Sequence, residues 1–280
     1  MAKSISKYRK RLQFCEKYGP YALVAGGSDG LGAAFAEALA RRGLNLILLA
    51  REKERLTAAA KRIAEKYSVD VLAYAADLAD YEKTRAILSP LKVSIGLLVY
   101  NAAFAPIGLF ENTSQEHLSL AAAVNVRTPL LLAKQLSAAM IQNKKGGIVL
   151  MSSLAGAQGS PKLASYAATK AFNTILAEGL WEELKPHGVD VIGCCAGAIL
   201  TPGHQSAKKS KPAPGAMSAN DVAERTLNAL GKGPVIIPGG VNKISRFVLA
   251  RLLTRKAAIG IMSRQNAALF GISIKDEVIE

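Results

Sequence analysis

The sequence predicts a single-domain α/β fold in which a doubly wound parallel sheet of seven strands carries helices on both faces. Three observations lead to this prediction. Short runs of aliphatic and β-branched residues alternate with longer helical segments, the order that builds a parallel sheet. A glycine-rich turn joins the first run to the helix that follows it. Half of the 280 residues are apolar, which is enough for one large core.

The elements follow one another in strict alternation along the chain. Most predicted strands are continuous apolar runs, as expected for strands that are covered on both faces. No long linker divides the series into two parts. The predicted strands cover residues 21–25, 44–50, 69–75, 95–101, 147–151, 189–195 and 234–237. The predicted helices cover residues 31–42, 52–67, 81–88, 115–143, 163–185 and 219–230.

Polar and glycine residues follow the ends of the first six strands. The carboxyl ends of parallel strands share one rim of the sheet, so these six segments point to one crevice. Open parallel sheets bind their ligands in such a crevice, where the strand order reverses. The residues concerned are Gly26, Arg51, Asp77, Asn101, Ser152 with Ser153, and the segment 197–201.

The turn after the first strand has the features of a dinucleotide cradle. Its three glycines are spaced as GxxxGxG and lead directly into a helix. Glycine lets the backbone turn tightly and approach a pyrophosphate, which the helix N-terminus attracts. Glycine clusters also end strands for conformational reasons alone, so the strand before the turn and the helix after it carry the prediction. The predicted cofactor contacts in this turn are Gly26, Ser28, Asp29, Gly30, Leu31 and Gly32.

The end of the second strand predicts the choice of cofactor. It reads Ala50-Arg51, without the acid that would bind an adenosine ribose. An arginine can instead bind a 2'-phosphate, so Arg51 favours NADP(H) over NAD(H). Two observations keep the alternative open. Asp29 adds negative charge close by, and Arg51 is also consistent with an ordinary exposed residue in a first helical turn.

Three residues further along predict acid–base chemistry. Tyr166 and Lys170 lie four residues apart in a predicted helix and therefore on one face, and Ser153 precedes Tyr166 by thirteen residues. A free tyrosine has a pKa of about 10. We expect the Lys170 cation to lower that pKa and to make Tyr166 a general acid. Each residue alone could be a surface or cap residue, but together on one rim they predict an enzyme of hydride transfer.

These motifs, in this order, resemble the classical short-chain dehydrogenase/reductase family over residues 21–238. The resemblance implies a Rossmann fold. Four segments, 28–30, 50–51, 95–99 and 166–172, are most similar to the branch of 17-beta-hydroxysteroid dehydrogenases and very-long-chain 3-oxoacyl reductases, which is typically NADPH-dependent. The motifs that carry the family resemblance are the glycine turn, Asp77, Asn101 with Ala102, Asn125, the set of Ser153, Tyr166 and Lys170, and the segment 197–201.

The resemblance implies a role for each of these residues. Tyr166 would protonate the carbonyl oxygen as hydride arrives from the nicotinamide, and Ser153 would hydrogen-bond the same oxygen. Lys170 would hold the ribose hydroxyls, and Asn125 would keep a water between Lys170 and solvent. The other implied cofactor contacts are Asp77 at the adenine, Asn101 and Ala102 along the groove, Tyr166 and Lys170 at the nicotinamide ribose, and Gly197, the Ile199 backbone and the Thr201 hydroxyl near the carboxamide.

Four positions depart from the family pattern, and none of them removes a catalytic group. Their effect would fall on the loops that hold the cofactor. Ala25 stands in place of threonine, Tyr100 of asparagine, Ala103 of glycine and Ala196 of proline.

The net charge of +15 is concentrated near the two ends of the chain. Residues 1–20 hold six cations and one acid, and residues 241–264 hold six cations and no acid. Neither end contains a nucleic-acid motif or an aromatic platform, so no nucleic-acid partner is predicted. No run of eighteen apolar residues occurs, so an integral membrane protein is not expected.

The C-terminal segment mixes cations with large apolar residues. In a straight helix Arg251 and Arg255 would fall on the same stripe as Ile244 and Val248, so the polar and apolar faces would be poorly separated. We therefore expect helices that border the substrate pocket or a subunit contact. Peripheral membrane binding is the alternative.

The remaining features limit the interpretation. The three cysteines form no spaced disulfide framework, which favours a cytoplasmic location. The three histidines lack metal-ligand spacing, and no metal site is predicted. Residues 201–218 are rich in lysine, proline and glycine and are predicted to form a mobile loop over the site.

The combined hypothesis is an NADPH-dependent oxidoreductase that interconverts a carbonyl and a secondary alcohol on a lipophilic, steroid-like or 3-oxoacyl substrate. The alternative is a catalytically idle NADP-binding sensor protein. We expect a basic N-terminal extension (1–20), a dinucleotide-binding and catalytic domain (21–240) and a C-terminal helical extension packed on that domain (241–280). The long helices 115–143 and 163–185 resemble those by which family members form homodimers or homotetramers.

Overall fold

The computed structural model of the chain describes residues 2–200 and 213–270, with side chains from residue 8 onward except at residue 269. Most of the predicted loop 201–218 therefore lies outside the described residues. The strands are β1 (Tyr21–Ala25), β2 (Asn45–Ala50), β3 (Val71–Ala75), β4 (Ile95–Tyr100), β5 (Gly146–Ser153), β6 (Val189–Ala196), β7 (Ile199–Leu200), β8 (Met217–Ser218) and β9 (Val235–Ile236). The α-helices are α1 (Ala2–Tyr18), α2 (Gly30–Arg41), α3 (Lys53–Tyr67), α4 (Tyr81–Leu88), α5 (Gln115–Ala122), α6 (Thr128–Gln142), α7 (Ala164–Leu184), α8 (Ala219–Ala229), α9 (Gly240–Phe247) and α10 (Arg255–Phe270).

Seven strands form one parallel sheet in the order β3-β2-β1-β4-β5-β6-β9. The predicted doubly wound sheet is thus confirmed, and its order reverses between β1 and β4. Strand β9 pairs with β6 over two residues and is shorter than the predicted strand 234–237. A separate parallel ladder of β7 and β8 was not predicted.

The sheet is buried because its central strands are apolar on both faces. Alternate residues of β1 illustrate this: Ala22 and Val24 belong to the core on one face, and Leu23 and Ala25 to the core on the other. Helices α2 and α8 cover the first face, and α4, α6 and α7 contribute to the second. The sequence contains continuous aliphatic strands for this reason, since neither face contacts solvent.

The basic N-terminal segment forms helix α1, which packs at the amino ends of β4 and β5. The fit is tight: a Cβ at Gly96 would lie 2.6 Å from the Tyr18 carbonyl oxygen. The Tyr18 hydroxyl donates a 2.5 Å hydrogen bond to Asp190, and Lys17 pairs with the same carboxylate. Part of the terminal positive charge is therefore neutralised within the fold.

Two π-helical turns interrupt the regular α-helical geometry. The predicted helix 115–143 is wrong in this respect, since a π-turn over residues 123–127 joins α5 to α6. A second π-turn, over residues 248–252, follows α9. Each inserts a wider turn and rotates the residues beyond it. None of the helices in the described ranges is both long and apolar enough to cross a bilayer.

Candidate active site

The carboxyl ends of the strands bring the predicted site residues to one rim. Ala25, which precedes the glycine turn, pairs with Leu49 of β2 on one side and with Tyr100 of β4 on the other. Ser153 pairs with Ala196 at the end of β6. The turns after β1, β2, β4, β5 and β6 therefore surround a common crevice, as the sequence predicts.

The glycine turn has no room for side chains. Gly26 has a φ of +81°, and a Cβ there would lie 2.9 Å from the backbone nitrogen of Ala102. A Cβ on Gly32 would lie 1.7 Å from the carbonyl oxygen of Gly26. Only glycine fits at both positions, so the backbone itself forms the surface of the cradle.

The cradle fits the pyrophosphate of a nicotinamide dinucleotide. It opens onto the N-terminus of α2, where backbone N–H groups of the first turn lack helical acceptors. One donor of that turn is already bound, because Asp29 accepts a 2.6 Å hydrogen bond from the Gly30 nitrogen. Leu31 and Gly32 follow it in the same turn, so the predicted contacts 26–32 form one continuous surface.

Asn101 and Ala102 fix the shape of this turn from the end of β4. The backbone nitrogens of both residues donate to the Ala25 carbonyl oxygen, at 3.0 and 2.9 Å. The Asn101 side-chain amide donates to the Gly26 carbonyl oxygen at 3.2 Å. Asn101 thus positions the glycine turn. The family resemblance implied only that this residue lines the cofactor groove.

The unusual Tyr100 also has a structural partner. Its ring is buried, and its hydroxyl donates a 2.6 Å hydrogen bond to the Val124 carbonyl oxygen in the π-turn. Burial raises the pKa of this hydroxyl. The phenol therefore links the end of β4 to the helix that carries Asn125.

The two charged residues predicted to contact the adenosine half lie at the surface. Arg51 is exposed directly after β2. Asp77 is exposed beyond β3, and its side chain accepts a 3.0 Å hydrogen bond from the Ala79 nitrogen. Both side chains are therefore accessible at the rim, on the side of the glycine turn.

The catalytic candidates meet where β5 ends and α7 begins. The Ser153 hydroxyl accepts a 3.2 Å hydrogen bond from the Ala155 nitrogen and also hydrogen-bonds the Tyr166 hydroxyl. The Lys170 ammonium lies 5.5 Å from the centroid of the Tyr166 ring, on the same helical face. Its nitrogen donates to the Met151 carbonyl oxygen at 2.9 Å. Three residues from two elements therefore form one polar cluster.

Burial controls the titration of this cluster. It raises the pKa of Tyr166, and the hydrogen bond from Ser153 acts in the opposite direction. It also lowers the pKa of Lys170 to about 8, because the ammonium is almost completely buried. The prediction that Lys170 lowers the pKa of Tyr166 is therefore wrong, since desolvation dominates both groups.

Asn125 lies buried in the first π-turn and joins that turn to its surroundings. Its side chain accepts from the Phe104 nitrogen at 2.8 Å and donates to the Phe104 carbonyl oxygen at 2.7 Å. It also donates to the Thr169 hydroxyl at 3.0 Å. Both side-chain N–H groups and the side-chain oxygen are thus engaged in holding the loop after β4 against α7.

Sequence reasoning missed Asn173, whose buried side-chain amide donates to the Asn125 carbonyl oxygen at 3.1 Å. It also missed the buried pair beneath Lys170, in which the Ser152 hydroxyl donates to the Lys170 carbonyl oxygen at 2.6 Å and contacts the Thr174 hydroxyl at 2.7 Å. Helical spacing offered a signal, since Asn173 and Thr174 follow Lys170 by three and four residues.

The segment after β6 completes the rim. A Cβ on Gly197 would lie 2.7 Å from the Asn242 side-chain oxygen, so α9 packs closely against this turn. Ile199 belongs to the short ladder with Met217. The predicted contact Thr201 lies outside the described residues. Cys194 is buried, and desolvation raises the pKa of its thiol to about 12.

Comparison with known proteins identifies the family. The family model for the short chain dehydrogenase matches residues 20–212. The chain belongs to the short-chain dehydrogenase family. Solved structures agree: a 7beta-hydroxysteroid dehydrogenase superposes with a TM-score of 0.84 at 28% identity, over 89% of this chain and 98% of that one. A short-chain dehydrogenase from Sphingobium yanoikuyae in complex with NADPH superposes with a TM-score of 0.71 at 28% identity, over 91% and 97% of the two chains.

Curated relatives include both enzymes and a protein named inactive. The 7beta-hydroxysteroid dehydrogenase of Clostridium sardiniense is 30% identical over 83% of this chain and 90% of its own length. A very-long-chain 3-oxoacyl-CoA reductase of Phaeosphaeria nodorum is 32% identical, over 82% and 67%. The human Inactive hydroxysteroid dehydrogenase-like protein 1 is 34% identical over 67% of this chain, which spans 58% of that protein. The family is an oxidoreductase family that binds NAD(P).

Proposed function

We propose that this short-chain dehydrogenase is an active NADPH-dependent enzyme that interconverts a ketone and a secondary alcohol on a lipophilic substrate. The observation that carries the proposal is the cluster at the end of β5. There the Ser153 hydroxyl bonds the Tyr166 hydroxyl, and Lys170 lies 5.5 Å from the same ring. A hydride acceptor needs donors already aimed at its developing alkoxide, and this cluster supplies two hydroxyl groups.

In the proposed reduction the bound dinucleotide supplies the hydride, and the chain handles the proton. The Tyr166 hydroxyl donates its proton to the carbonyl oxygen as negative charge develops there. The Ser153 hydroxyl donates a second hydrogen bond to that oxygen and holds it in place. Lys170, one turn further along α7, holds the cofactor ribose and returns a proton to Tyr166 in the next cycle. In the oxidation each proton moves in the opposite direction.

Asn125 and Asn173 support the proton path in this proposal. The side chain of Asn125 is engaged by Phe104 and Thr169, so we assign the water that would lead to Lys170 to the Asn125 backbone carbonyl oxygen. Asn173 already donates to that oxygen and fixes its direction. A carbonyl oxygen has two lone pairs, so it can accept from Asn173 and from a water together.

The NADP(H) preference is supported by charge at the end of β2. Arg51 is exposed directly after β2, at the position that we assign to the 2'-phosphate, and the strand itself ends in Ala50 and not in an acid. A structural relative of this chain is a complex with NADPH. Asp77, also exposed on this side, is proposed to contact the adenine.

The lipophilic substrate is supported by the relatives, which act by name on hydroxysteroids or on very-long-chain 3-oxoacyl-CoA. Residues 21–240 are proposed to form the catalytic domain, with the two terminal extensions packed on it. A homodimer or homotetramer through α6 and α7 is proposed as the assembly. Exposed apolar side chains on these helices, Leu130 and Ile175, support it.

A second candidate function is a catalytically idle NADP-binding sensor. The human relative named inactive favours it. The presence of Ser153, Tyr166 and Lys170 in one cluster favours the enzyme, because a sensor needs the cradle but not the proton donor.

A substrate panel with a matched pair of variants tests the proposal. NADPH oxidation is measured by absorbance with steroid ketones and 3-oxoacyl thioesters. Tyr166→Phe removes the proton donor, and we expect it to lower turnover by about 10³-fold, with a much smaller effect on NADPH binding. Tyr81→Phe is the control, because the Tyr81 hydroxyl bonds Gln135 away from the site. Tight NADPH binding without turnover of any substrate would support the sensor instead.

A further inference from the structure

The exposed side of helix α9 carries large apolar residues next to cations. Val241, Ile244 and Phe247 are 52, 67 and 57% exposed, and Leu252 beyond them is 65% exposed. Lys243 and Arg251 are exposed beside them. We call these six residues the basic apolar face. Scattered surface apolar residues are common, but four large ones within twelve residues indicate an interaction site.

The π-turn after α9 sets the positions of Leu252 and Arg251 on this face. Residues in an α-helix rotate by about 100° each, so Val241, Ile244 and Phe247 lie on one side of α9. Residues in a π-turn rotate by roughly 80° each, which brings Leu252 onto that side. A straight helix would place Arg251 between Ile244 and Phe247 and leave Leu252 at the edge, beside Val241. The sequence-based expectation of poorly separated faces is therefore wrong, and the reason is the inserted turn at 248–252.

The opposite side of α9 fixes the orientation of the face. Asn242 is buried, and its amide donates to the carbonyl oxygens of Gly215 and Pro238, at 3.0 and 2.8 Å. Helix α9 also contacts the turn that follows Ser153. The face is thus held at the carboxyl-end rim of the sheet, beside the mouth of the proposed active site.

The charge of the region indicates the partner. Residues 240–256 contain five cations and no acid. Arg255 is partly engaged, since it donates to the Ala157 carbonyl oxygen at 3.3 Å and ties α10 to the site. Lys243 and Arg251 remain beside the apolar side chains, in the arrangement by which interfacial helices bind anionic lipids.

We propose that the basic apolar face docks this protein onto an anionic lipid bilayer, with the mouth of the active site turned toward the membrane. Ile244, Phe247 and Leu252 enter the headgroup region, and Lys243 and Arg251 bind lipid phosphates or carboxylates. The proposal goes beyond the proposed function and explains how a lipophilic substrate reaches the site without crossing water. It requires neither turnover nor bound cofactor.

The test is flotation of the full chain with vesicles that contain about 30 mol% phosphatidylserine, compared with pure phosphatidylcholine vesicles. We expect the unaltered chain to float with the anionic vesicles at low salt and to dissociate as salt screens the cations. Ile244→Ser combined with Phe247→Ser should weaken binding about tenfold or more. Lys243→Gln combined with Arg251→Gln should weaken it about tenfold and remove the preference for anionic lipid.

A matched control comes from helix α1, which lies at the other end of the strands. It is also basic and exposes Tyr8 and Leu12, at 62 and 43%. Tyr8→Ser combined with Leu12→Ser should leave flotation unchanged. The proposal is overturned if the unaltered chain does not float at low salt, or if the α9 double variant floats as well as the unaltered chain.

Light scattering tests the competing explanation, in which the face binds a second copy of the chain. A dimer that dissociates in the α9 double variant, together with absence of vesicle binding, would assign the face to a second copy of the chain and overturn the membrane proposal. NADPH binding, measured on the same samples, should be unaffected in every variant of the face. The NADPH measurement thus separates a loss of vesicle binding from a failure of the proposed enzyme activity.

Discussion

The two halves of the proposed site are built in different ways. In the cradle after β1 the working surface is backbone, held at close approach by Gly26, Gly32 and Ala102, and the charged side chains are exposed. In the cluster between β5 and α7 the working groups are side chains, and burial shifts the pKa values of Tyr166 and Lys170. NADPH binding at the cradle should therefore be sensitive to added side-chain volume. The cluster should be sensitive to changes in side-chain charge.

The largest expected effect tests the volume sensitivity of the cradle. Gly32→Ala places a methyl group 1.7 Å from the Gly26 carbonyl oxygen, which the turn cannot accommodate without moving. We expect NADPH affinity, measured by fluorescence titration, to fall by at least about 100-fold, equivalent to roughly 3 kcal/mol. The melting temperature should fall as well.

Gly179→Ala is the matched control within α7. A Cβ at Gly179 meets no atom within 4 Å, so the substitution adds a helix-forming residue without a clash. We expect it to stabilise the chain by about 0.5–1 kcal/mol and to leave NADPH affinity unchanged. Equal losses of affinity in the two variants would contradict the view that close backbone approach shapes the cradle.

The second prediction tests the charge sensitivity of the catalytic cluster. The pKa of Lys170 is about 8 in the folded chain and 10.5 in the reference state. Between these values the unfolded chain holds a proton that the folded chain has lost, so this residue makes the fold more stable as pH rises. The gain is up to about 1.4 kcal/mol per pH unit. Below pH 8 both states are protonated and the contribution is constant.

Lys170→Met removes this titration. Urea unfolding is measured from pH 7 to 10.5. As pH rises above 8, we expect the free energy of unfolding of the variant to fall relative to that of the unaltered chain. The control is Lys232→Met, at an exposed position, which should change the free energy of unfolding by less than about 0.5 kcal/mol throughout. A difference between Lys170→Met and the unaltered chain that does not vary with pH would show that Lys170 is not buried as a titrating group.

The smallest expected effect concerns the exposed part of the cradle. Arg51→Ala should raise the KM for NADPH about tenfold, because the proposed charge-assisted contact to the 2'-phosphate would be lost. The KM for NADH should change little, since NADH lacks that phosphate. Lys53→Ala, two residues further along and also exposed, should change neither value. Equal effects of Arg51→Ala on the two cofactors would remove the support for an NADP(H) preference.

The sequence predicted those parts of the fold and site that depend on short-range pattern. Continuous aliphatic runs located the six long strands, and glycine spacing located the turn before α2, because both features arise from local backbone and burial requirements. The order of motifs also identified Ser153, Tyr166 and Lys170, which the structure brings together. The extra ladder of β7 and β8 was missed because two-residue strands carry no periodic signal.

Other features depend on contacts between distant segments. Asn173 bonds the carbonyl oxygen of Asn125, 48 residues away, and no local pattern marks that pair. The first π-turn begins just before Asn125, within a run that is otherwise regular in helical pattern. The direction of the pKa shift of Tyr166 was predicted incorrectly, because helical spacing places a lysine nearby but does not show that both groups are desolvated.

The sequence by itself determined the doubly wound sheet, the family and the identity of the residues at the rim. Strand burial, glycine turns and helical spacing can be predicted because they depend on residues that are close together in the sequence. Only the tertiary structure decided how those residues titrate and which surface of α9 is left exposed. Desolvation depends on the packing of all surrounding segments, and the register of the basic apolar face depends on a π-turn that the packed fold stabilises.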